Sequence, residues 1–371
     1  MIKIKTIINL TIINLILINL KIFYFTFFRN KKIILFYNPK ENLSNITNYY
    51  IKDWSQNLDK KFYIFFVYVP NYKGVNIYNI SPILCKFIFG VDIFMSTYIC
   101  DYFSNNSKRI YIHHDIYDTP LTKKSNYKEL VKKFINYDFI FTPSELSSRM
   151  FEKLFKFSKK KPEIVSIGYL KLDYLLKQKK KISFKKDSII IAPTDFNAFK
   201  KYSLIRQLPK LINFITKELK LRVVFRPHPS NRENKQILDI KKKFISNEKF
   251  DFDVSENYSN KYGKSLCMIT DISGTAYTYA FFSERPVIFF SNNLIERNYK
   301  YSNYIKDRVK IGYISKNIKD ISKIIRNIDK NKSKFRKSIK DLRLKLSNFG
   351  QVKKKMSKKI NEITFDNEIS I

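Results

Sequence analysis

The chain has few of the residues that build metal and disulfide sites. Its 371 residues include three histidines and three cysteines. Three imidazoles are too few for a histidine-based metal cluster, and the cysteines lack the paired spacing of a zinc site. Cys85, Cys100 and Cys267 each lie among apolar neighbours, which is typical of buried thiols in a reducing compartment. We therefore predict no metal ion in the functional site.

Glycine is also scarce, with seven residues in the whole chain. The sequence contains neither the glycine-rich loop that holds nucleoside triphosphates nor the fingerprint of a dinucleotide-binding fold. These absences argue against an ATPase of that type and against a nicotinamide or flavin enzyme. We predict no bound cofactor.

Acidic residues are outnumbered, because 32 Asp and Glu stand against 71 Lys and Arg and leave a formal charge of +39. A positive field of this size attracts nucleic acid, anionic lipid or phosphorylated substrates. A base composition rich in A and T would also raise the lysine content without any dedicated partner. The lysine runs, such as 159–161 and 353–355, are short, and no aromatic-basic motif accompanies them. The pattern favours an anionic membrane surface and argues against nucleic acid.

Residues 1–30 form a hydrophobic N-terminal segment. Residues 6–28 are almost wholly apolar or Asn, and their number suits a bilayer span. Three asparagines and Lys21 weaken that interpretation, and the alternative is a helix packed on the following domain. We expect association with the cytoplasmic face of a membrane, either peripheral or through this segment as an anchor, because positive residues follow it.

Short apolar strands alternate with polar helical stretches in the rest of the chain. In residues 31–180 we predict strands at 33–37, 62–69, 91–97, 109–113, 139–142 and 164–167. In residues 181–371 we predict strands at 188–192, 222–225, 265–269 and 287–290. This alternation is typical of parallel, doubly wound sheets. The chain is therefore predicted to form two α/β Rossmann-like domains facing one another, with a helical tail over 318–360.

Two loops of the second half carry residues suited to phosphate. The first is Arg226-Pro227-His228-Pro229, whose prolines fix the backbone around the imidazole and whose guanidinium could clamp a diphosphate. In the second, Asp271, Ser273, Gly274 and Thr275 lead from a strand into a helix, where N–H groups and hydroxyls can hold phosphate oxygens. Either loop alone also fits an ordinary turn or helix cap. Together they predict a site for a nucleotide-linked donor in the cleft.

A third loop ends a strand of the first half with His113 and His114. Because neighbours on a strand alternate, one imidazole should face the cleft and the other the opposite side. We expect His114 to face the cleft and to act as general base toward a hydroxyl group, since imidazole titrates near neutral pH. His113 is expected to be packed.

In order along the chain, these loops resemble the motifs of the CDP-glycerol glycerophosphotransferases of teichoic acid and capsule synthesis, which have the two-domain GT-B fold. The resemblance covers most of the chain after residue 30, through segments 112–120, 167–173, 192–194, 226–229, 270–275 and 285–290. It implies that residues 31–180 form the acceptor-side domain, with a base at His114, and that residues 181–371 form the nucleotide-donor domain. In the second domain it implies a catalytic role for His228 at the donor diphosphate, and a donor site that also includes Arg226, Asp271, Ser273, Gly274, Thr275 and Thr194.

The chain departs from that family pattern at four positions. Asp115 replaces the glycine after the first histidine, and Gly274 replaces the second serine of Asp-x-Ser-Ser. Leu170 replaces the proline of the Gly-Tyr-Pro-x-x-Asp element, and Thr278 replaces an acidic residue. These changes leave undetermined which polyol and which nucleobase the donor carries.

The resemblance implies a transferase that moves glycerol phosphate, or a related polyol phosphate, from CDP-glycerol to a hydroxyl of a lipid-linked or surface glycan acceptor and releases CMP. Among enzymes, the alternative is a GT-B glycosyltransferase or a UDP-sugar epimerase. The alternative from another class is a basic nucleic-acid-binding protein. The expected partners are a CDP-activated polyol donor, the glycan acceptor and an anionic membrane surface.

Overall fold

The computed structural model describes residues 4–27, 31–38, 46–56, 58, 60–68, 79–117, 127–179, 187–255, 258–290, 302–328, 330 and 332–365. Within these ranges the chain forms two six-stranded sheets in which all neighbouring strands are parallel. The predicted pair of Rossmann-like domains is confirmed.

The first sheet contains every strand predicted in the first half, in the order β2-β1-β3-β4-β5-β6. Both of its faces are covered, since Ile33 and Leu35 belong to one apolar cluster and Ile34 and Phe36 to another. Burial on both faces explains why its strands are apolar without alternation. The strands are β1 Lys32–Asn38, β2 Phe62–Tyr68, β3 Ile93–Ser96, β4 Lys108–Ile112, β5 Phe139–Thr142 and β6 Glu163–Ser166. The helices are α1 Ile4–Phe27, α2 Ile46–Ser55, α3 Tyr127–Phe134, α4 Glu145–Leu154 and α5 Leu170–Lys179.

The second sheet has the order β12-β11-β10-β7-β8-β9, so the chain changes direction across the sheet between β7 and β10. Ligands of open α/β sheets bind at such a switch point, beyond the carboxyl ends of the strands. The strands are β7 Ser188–Ile191, β8 Arg222–Phe225, β9 Phe250–Phe252, β10 Ser265–Thr270, β11 Val287–Phe290 and β12 Gly312–Ser315. The sequence did not predict β9 and β12, which are short and lie at the two edges of the sheet.

Nine α-helices of the described second half surround this sheet or continue into the tail. Around the sheet lie α6 Leu208–Asn213, α7 Lys235–Phe244, α8 Ser259–Lys264, α9 Thr275–Ser283, α10 Asn303–Lys306, α11 Arg308–Ile311 and α12 Ile318–Arg326. The tail is formed by α13 Lys332–Ser347 and α14 Val352–Phe365, and its predicted helical character is confirmed.

The last helix, α14, returns to the first domain. The indole N–H of Trp54 donates to the Ser357 hydroxyl at 3.2 Å, and Lys359 pairs with Glu163 at 2.7 Å. Lys353 lies 2.6 Å from the Asp53 carboxylate. The sequence assigned the whole tail to the second domain, whereas these contacts attach its end to the first.

The turn before α14 rests on the loop between β6 and α5. Gly168 there has a φ of +126°, and a methyl group added to it would lie 2.5 Å from the Val352 side chain. The Tyr169 N–H donates to the Ser347 carbonyl at 3.0 Å, and the Gly350 N–H donates to the Asp173 carboxylate at 3.1 Å. The Gly-Tyr element noted in the sequence therefore joins the tail to the first domain.

Helix α1 lies on the first domain. Ile13 and Leu17 are fully buried in its apolar cluster. Three of the four polar residues that weakened the membrane-span interpretation make contacts with the domain: Asn9 donates to the Asn79 carbonyl at 2.7 Å, Asn14 to the Phe87 carbonyl at 2.8 Å, and Lys21 pairs with Asp92 at 2.6 Å. Among the helices that the structure describes, none has the length and apolar character required for a bilayer crossing. The contacts of Asn9, Asn14 and Lys21 correspond to the alternative of a helix packed on the domain.

Candidate active site

The corner between β10 and α9 lies at the switch point of the second sheet. Asp271 is fully buried there and accepts hydrogen bonds from the N–H groups of Thr194 and Leu204, both at 2.9 Å, and from Ile272. Burial raises the pKa of this carboxyl, although the three N–H donors oppose the shift by stabilising the carboxylate. Asp271 and Thr194, which the sequence assigned to donor binding, therefore hold the loops of the corner in place through this contact.

The loops that follow β7 and β8 lie at the same carboxyl edge of the second sheet and are hydrogen bonded to each other. Asn231 accepts a hydrogen bond from the Phe196 N–H at 3.2 Å and donates through its amide to Asp195 at 3.0 Å. Its own N–H donates to the His228 carbonyl at 2.9 Å. The Thr194 loop, the His228 turn and the Asp271 corner are thus linked by hydrogen bonds at the carboxyl ends of adjacent strands.

His228 is half-buried, and one of its ring nitrogens has a defined partner. Its Nδ1 accepts a hydrogen bond from the Ser230 N–H at 3.3 Å, in the first turn after Pro229. A ring nitrogen that accepts carries no proton, so in the neutral imidazole the hydrogen is on Nε2. His228 is therefore suited to donate from Nε2 to a phosphate oxygen.

Arg226 has a different setting from the free clamp that the sequence suggested. Its guanidinium lies 2.7 Å from the Asp253 carboxylate and 4.4 Å above the Tyr258 ring, and its side chain is 10% exposed. Burial opposes the ionisation of Asp253, but the charge of Arg226 and hydrogen bonds from Ser255 lower its pKa overall. Because both partners engage the guanidinium, Arg226 forms part of the wall of the site.

The two hydroxyl residues of the corner are also engaged. Thr275 Oγ1 lies 2.8 Å from the Tyr262 hydroxyl, and Tyr262 stacks on Tyr258 at 4.6 Å. Ser273 is 7% exposed, and its carbonyl accepts a hydrogen bond from the Tyr304 hydroxyl at 3.0 Å. Gly274 and Thr275 are the more exposed residues of the corner, and they begin α9, whose N-terminal end attracts anions.

The sequence missed one cation of this site. Arg308 is fully buried beneath the corner, donates to the Asp271 carbonyl at 2.5 Å, and stacks on Phe289 at 4.5 Å. It follows 34 positions after Gly274 in a short helix, with no motif around it, so only the tertiary structure identifies it. A buried guanidinium at this place adds positive potential under the corner.

The histidine loop of the first domain reaches the same corner. His114 is half-buried, stacks on Tyr98 at 4.7 Å, and its Nδ1 lies 3.5 Å from the Tyr111 hydroxyl. His113 is 3% exposed and packs against Phe151 at 5.6 Å. Since β4 ends at Ile112, the strand alternation that we used to separate the two rings does not extend to them, and the rings are 6.1 Å apart.

Asp115 makes one of the direct contacts between the two halves. A methyl group added to Gly274 would lie 2.0 Å from the Asp115 carboxylate, so this side chain occupies the space beside the glycine. The Tyr169 hydroxyl strengthens the contact by donating to the His114 carbonyl at 3.1 Å and lying 3.3 Å from Thr278 in α9. Two of the departures from the family pattern, at 115 and 274, are therefore neighbours in space.

The loop beyond Asp115 is buried against the second domain. The Tyr117 hydroxyl donates to the Asp307 carboxylate, and the Tyr117 ring packs against Tyr277 at 4.9 Å. Residues 118–120, the end of the histidine loop noted in the sequence, lie outside the described residues. Within the described residues, no group of three or more His, Cys, Asp or Glu could hold a metal ion.

Two facing Rossmann-like domains, with loops of both converging on a helix N-terminus at the switch point, define a GT-B protein. Solved structures agree: one of the wall teichoic acid polymerase TagF, soaked with CDPG, superposes with a TM-score of 0.65 at 18% identity, covering 91% of this chain and 90% of that chain. The structure of MnaA from S. aureus with UDP has a TM-score of 0.60 at 13% identity, covering 91% and 97%. At these identities the likeness concerns the fold.

The family model of the CDP-Glycerol:Poly(glycerophosphate) glycerophosphotransferases matches residues 108–363, and the chain belongs to this family. The teichoic acid poly(glycerol phosphate) polymerase of Bacillus spizizenii is 27% identical over 217 residues, which are 53% of this chain and 51% of that protein. The chain thus matches about half the length of this relative. The family that the sequence motifs implied is confirmed.

Proposed function

We propose that this protein transfers glycerol phosphate from CDP-glycerol to a hydroxyl group of a teichoic-acid-like acceptor and releases CMP. Family membership supports the reaction type. The observation that carries the proposal is the meeting of the His114 loop with the Gly274 corner, since it brings a candidate base and an anion site together from opposite domains.

In the proposed reaction, His114 removes the proton of the acceptor hydroxyl. The resulting oxygen attacks the phosphorus that carries the glycerol, a new P–O bond forms, and the bond from that phosphorus to the oxygen of CMP breaks. For this role His114 must donate from Nδ1, toward the Tyr111 hydroxyl oxygen, so that the Nε2 lone pair can accept the proton.

The leaving CMP acquires negative charge in the transition state. The N-terminal end of α9 and the Nε2–H group of His228 are the groups proposed to stabilise that charge, with Arg308 contributing from beneath the corner. Because these groups are held by hydrogen bonds before the substrate binds, little reorganisation is needed during the reaction.

We also propose peripheral attachment to a membrane through the outward face of α1. The side chains of Ile8, Leu15 and Ile22 on this face are 53%, 56% and 59% exposed, while the opposite face packs on the domain. Phe87 and Phe89, 45% and 49% exposed, lie beside this face, since the backbone groups of both are hydrogen bonded to Asn14. An exposed apolar face on a helix that lies along a domain suits the interfacial region of a bilayer.

The reaction is tested by incubating the protein with CDP-glycerol and an acceptor and following CMP release. His228→Asn and His114→Asn should each lower kcat/KM by about 100-fold or more. His113→Asn is the matched control, because this buried ring should affect stability and leave turnover per folded molecule near that of the parent protein. Without release of CMP from CDP-glycerol, release of UDP from UDP-sugars would overturn the assignment in favour of a glycosyltransferase, and conversion of one UDP-sugar into its epimer would overturn it in favour of an epimerase.

Membrane attachment is tested by flotation with vesicles that contain anionic lipid. Leu15→Glu/Ile22→Glu should remove the protein from the vesicle fraction. Val309→Glu is the control, since Val309 is 63% exposed but lies on the second domain. Equal flotation of the double variant and the parent protein would contradict the proposed membrane face.

A further inference from the structure

A large cavity lies at the carboxyl edge of the second sheet. Its volume is about 1040 Å³. Its walls come from the segment that follows β7, from the end of β11 and from the beginning of α12. The cations that line it are Lys200, Lys201, Arg206, Lys210, Lys316 and Lys319.

The composition of this cavity differs from that of the chain. Six of its thirteen lining residues are Lys or Arg and none is Asp or Glu, whereas Lys and Arg make up 71 of the 371 residues and Asp and Glu another 32. Random sampling of so lysine-rich a chain would place two or three cations and a carboxylate among thirteen residues. The concentration of one sign of charge in a concave surface focuses the field on an anion.

The cavity adjoins the corner between β10 and α9. Leu204 lines the cavity, and its N–H donates to the Asp271 carboxylate at 2.9 Å. Phe290, another lining residue, ends β11, which pairs with β10. A molecule that extends from the corner along this edge of the sheet therefore enters the cavity.

The number of cations indicates the kind of anion. A CDP-linked donor carries a single diphosphate, for which the end of α9, His228 and Arg308 are already available. Six additional cations exceed the charge of such a donor, but they match a flexible chain that carries one negative charge per repeating unit. Each exposed cation contributes little alone, and a polyanion gains from several at once through release of its counterions.

We infer that this cavity binds the phosphodiester chain of the acceptor, next to the corner between β10 and α9. The inference rests on the proposed function, since it assumes that the acceptor is a polyol phosphate polymer. The cavity residues would hold phosphates of repeating units behind the reacting end, and they do not touch the reacting atoms.

The test measures binding without any donor. The probe is a fluorescently labelled synthetic oligomer of glycerol phosphate with about ten units, and its anisotropy is followed over a range of salt concentrations. Arg206→Gln/Lys316→Gln/Lys319→Gln should weaken binding about tenfold and reduce the slope of log Kd against log salt by about 2.

The matched control removes the same charge elsewhere. Lys128, Lys132 and Lys153 are exposed on α3 and α4 of the first domain, and their triple replacement by Gln should leave the Kd within about twofold of the parent value. Equal weakening by the two triple variants, or no weakening by the cavity triple, would overturn the inference.

Two further probes test whether the cavity binds a different polyanion in place of the acceptor chain. Vesicles of phosphatidylglycerol and a single-stranded oligonucleotide of equal charge are measured against the same variants. If the cavity triple loses binding to either of these and keeps binding to the glycerol phosphate oligomer, the inference is wrong. Absence of CMP release by the parent protein would instead refute the proposed function, while the oligomer affinity still reports on the cavity.

Discussion

Two glycine-containing loops of this protein have the same local design and different tasks. Both follow a parallel strand and lead into a helix, one with Gly168 after β6 and the other with Gly274 after β10. At Gly168 the space is filled by the Val352 side chain of the tail, whereas at Gly274 it is filled by the Asp115 carboxylate of the opposite domain. The comparison shows that a glycine at a strand-to-helix junction marks a close approach, and that the approaching group decides whether the loop is structural or belongs to a site.

The backbone at the two glycines differs as well. Gly168 has a φ of +126°, which only glycine adopts readily, whereas Gly274 has a helical φ of −61°. The first position therefore requires glycine for both conformation and space. The second requires it for space alone, and its neighbour is the end of a side chain that can rotate.

The largest effect should come from Gly168→Ala. The positive φ and the overlap with Val352 together should lower the free energy of unfolding by about 4 kcal/mol. Urea unfolding followed by the fluorescence of Trp54, the single tryptophan, measures this change and also reports on the contact with α14.

Gly350→Ala is the control for that experiment. Gly350 has a φ of +78° with nothing within 4 Å of an added methyl group, so its replacement should cost only about 1 kcal/mol of backbone strain. If both substitutions lower the free energy of unfolding equally, the overlap of the added methyl group with Val352 does not contribute to the effect at Gly168.

A second prediction concerns Asp173 of α5, the helix after the Gly168 loop, whose carboxylate accepts a hydrogen bond from the Gly350 N–H of the tail. Burial raises its pKa to about 6, although hydrogen bonds from the tail backbone oppose the shift. The folded state thus holds a proton that the unfolded state has released between about pH 4 and pH 6, so this carboxyl makes the protein less stable as the pH rises through that window.

Asp173→Asn removes this titration. The free energy of unfolding of the variant, relative to the parent protein, should increase by about 2 kcal/mol between pH 4 and pH 7. Urea unfolding at several pH values gives the difference, and Asp341→Asn, at an exposed position of α13, should not reproduce it. If the difference in the free energy of unfolding between the Asp173→Asn variant and the parent protein stays constant with pH, burial does not raise the pKa of Asp173 as described.

The smallest effect is expected at Gly274, in the loop of the candidate site. Gly274→Ser should displace the Asp115 carboxylate and reduce kcat/KM for CMP release about tenfold. Asp115→Gly/Gly274→Ser, which removes the displaced group, should recover activity to within about threefold of the parent protein. If the double variant is no better than the single one, the two positions are not coupled.

Much of the fold follows from local sequence. Strands such as β7 and β11 are almost wholly apolar and buried, so ten of the strands could be predicted. The strands β9 and β12 were missed because they lie at the sheet edges and, with Asp251 in one and Gly312 in the other, show little apolar pattern. Their positions depend on the neighbouring strands.

The residues of the candidate site can be proposed from the sequence where they are consecutive, and not where they meet across the chain. The corner at 271–275 and the His228 turn are local signals, and the structure links them through Thr194 and Asn231. The setting of Arg226 depends on Asp253 and Tyr258, and Arg308 becomes part of the site only through tertiary packing. The same holds for Asp115, whose importance comes from a glycine in another domain.

The return of α14 to the first domain has a mechanical consequence. The polypeptide passes from the first domain to the second after α5, which ends at Lys179, and comes back at the turn before α14. Asp173 of α5 is hydrogen bonded to Gly350 of that turn, so the outgoing helix and the returning chain run side by side. The tail therefore adds a second covalent link between the domains, and the Asp173–Gly350 hydrogen bond fastens that link to the last helix of the first domain.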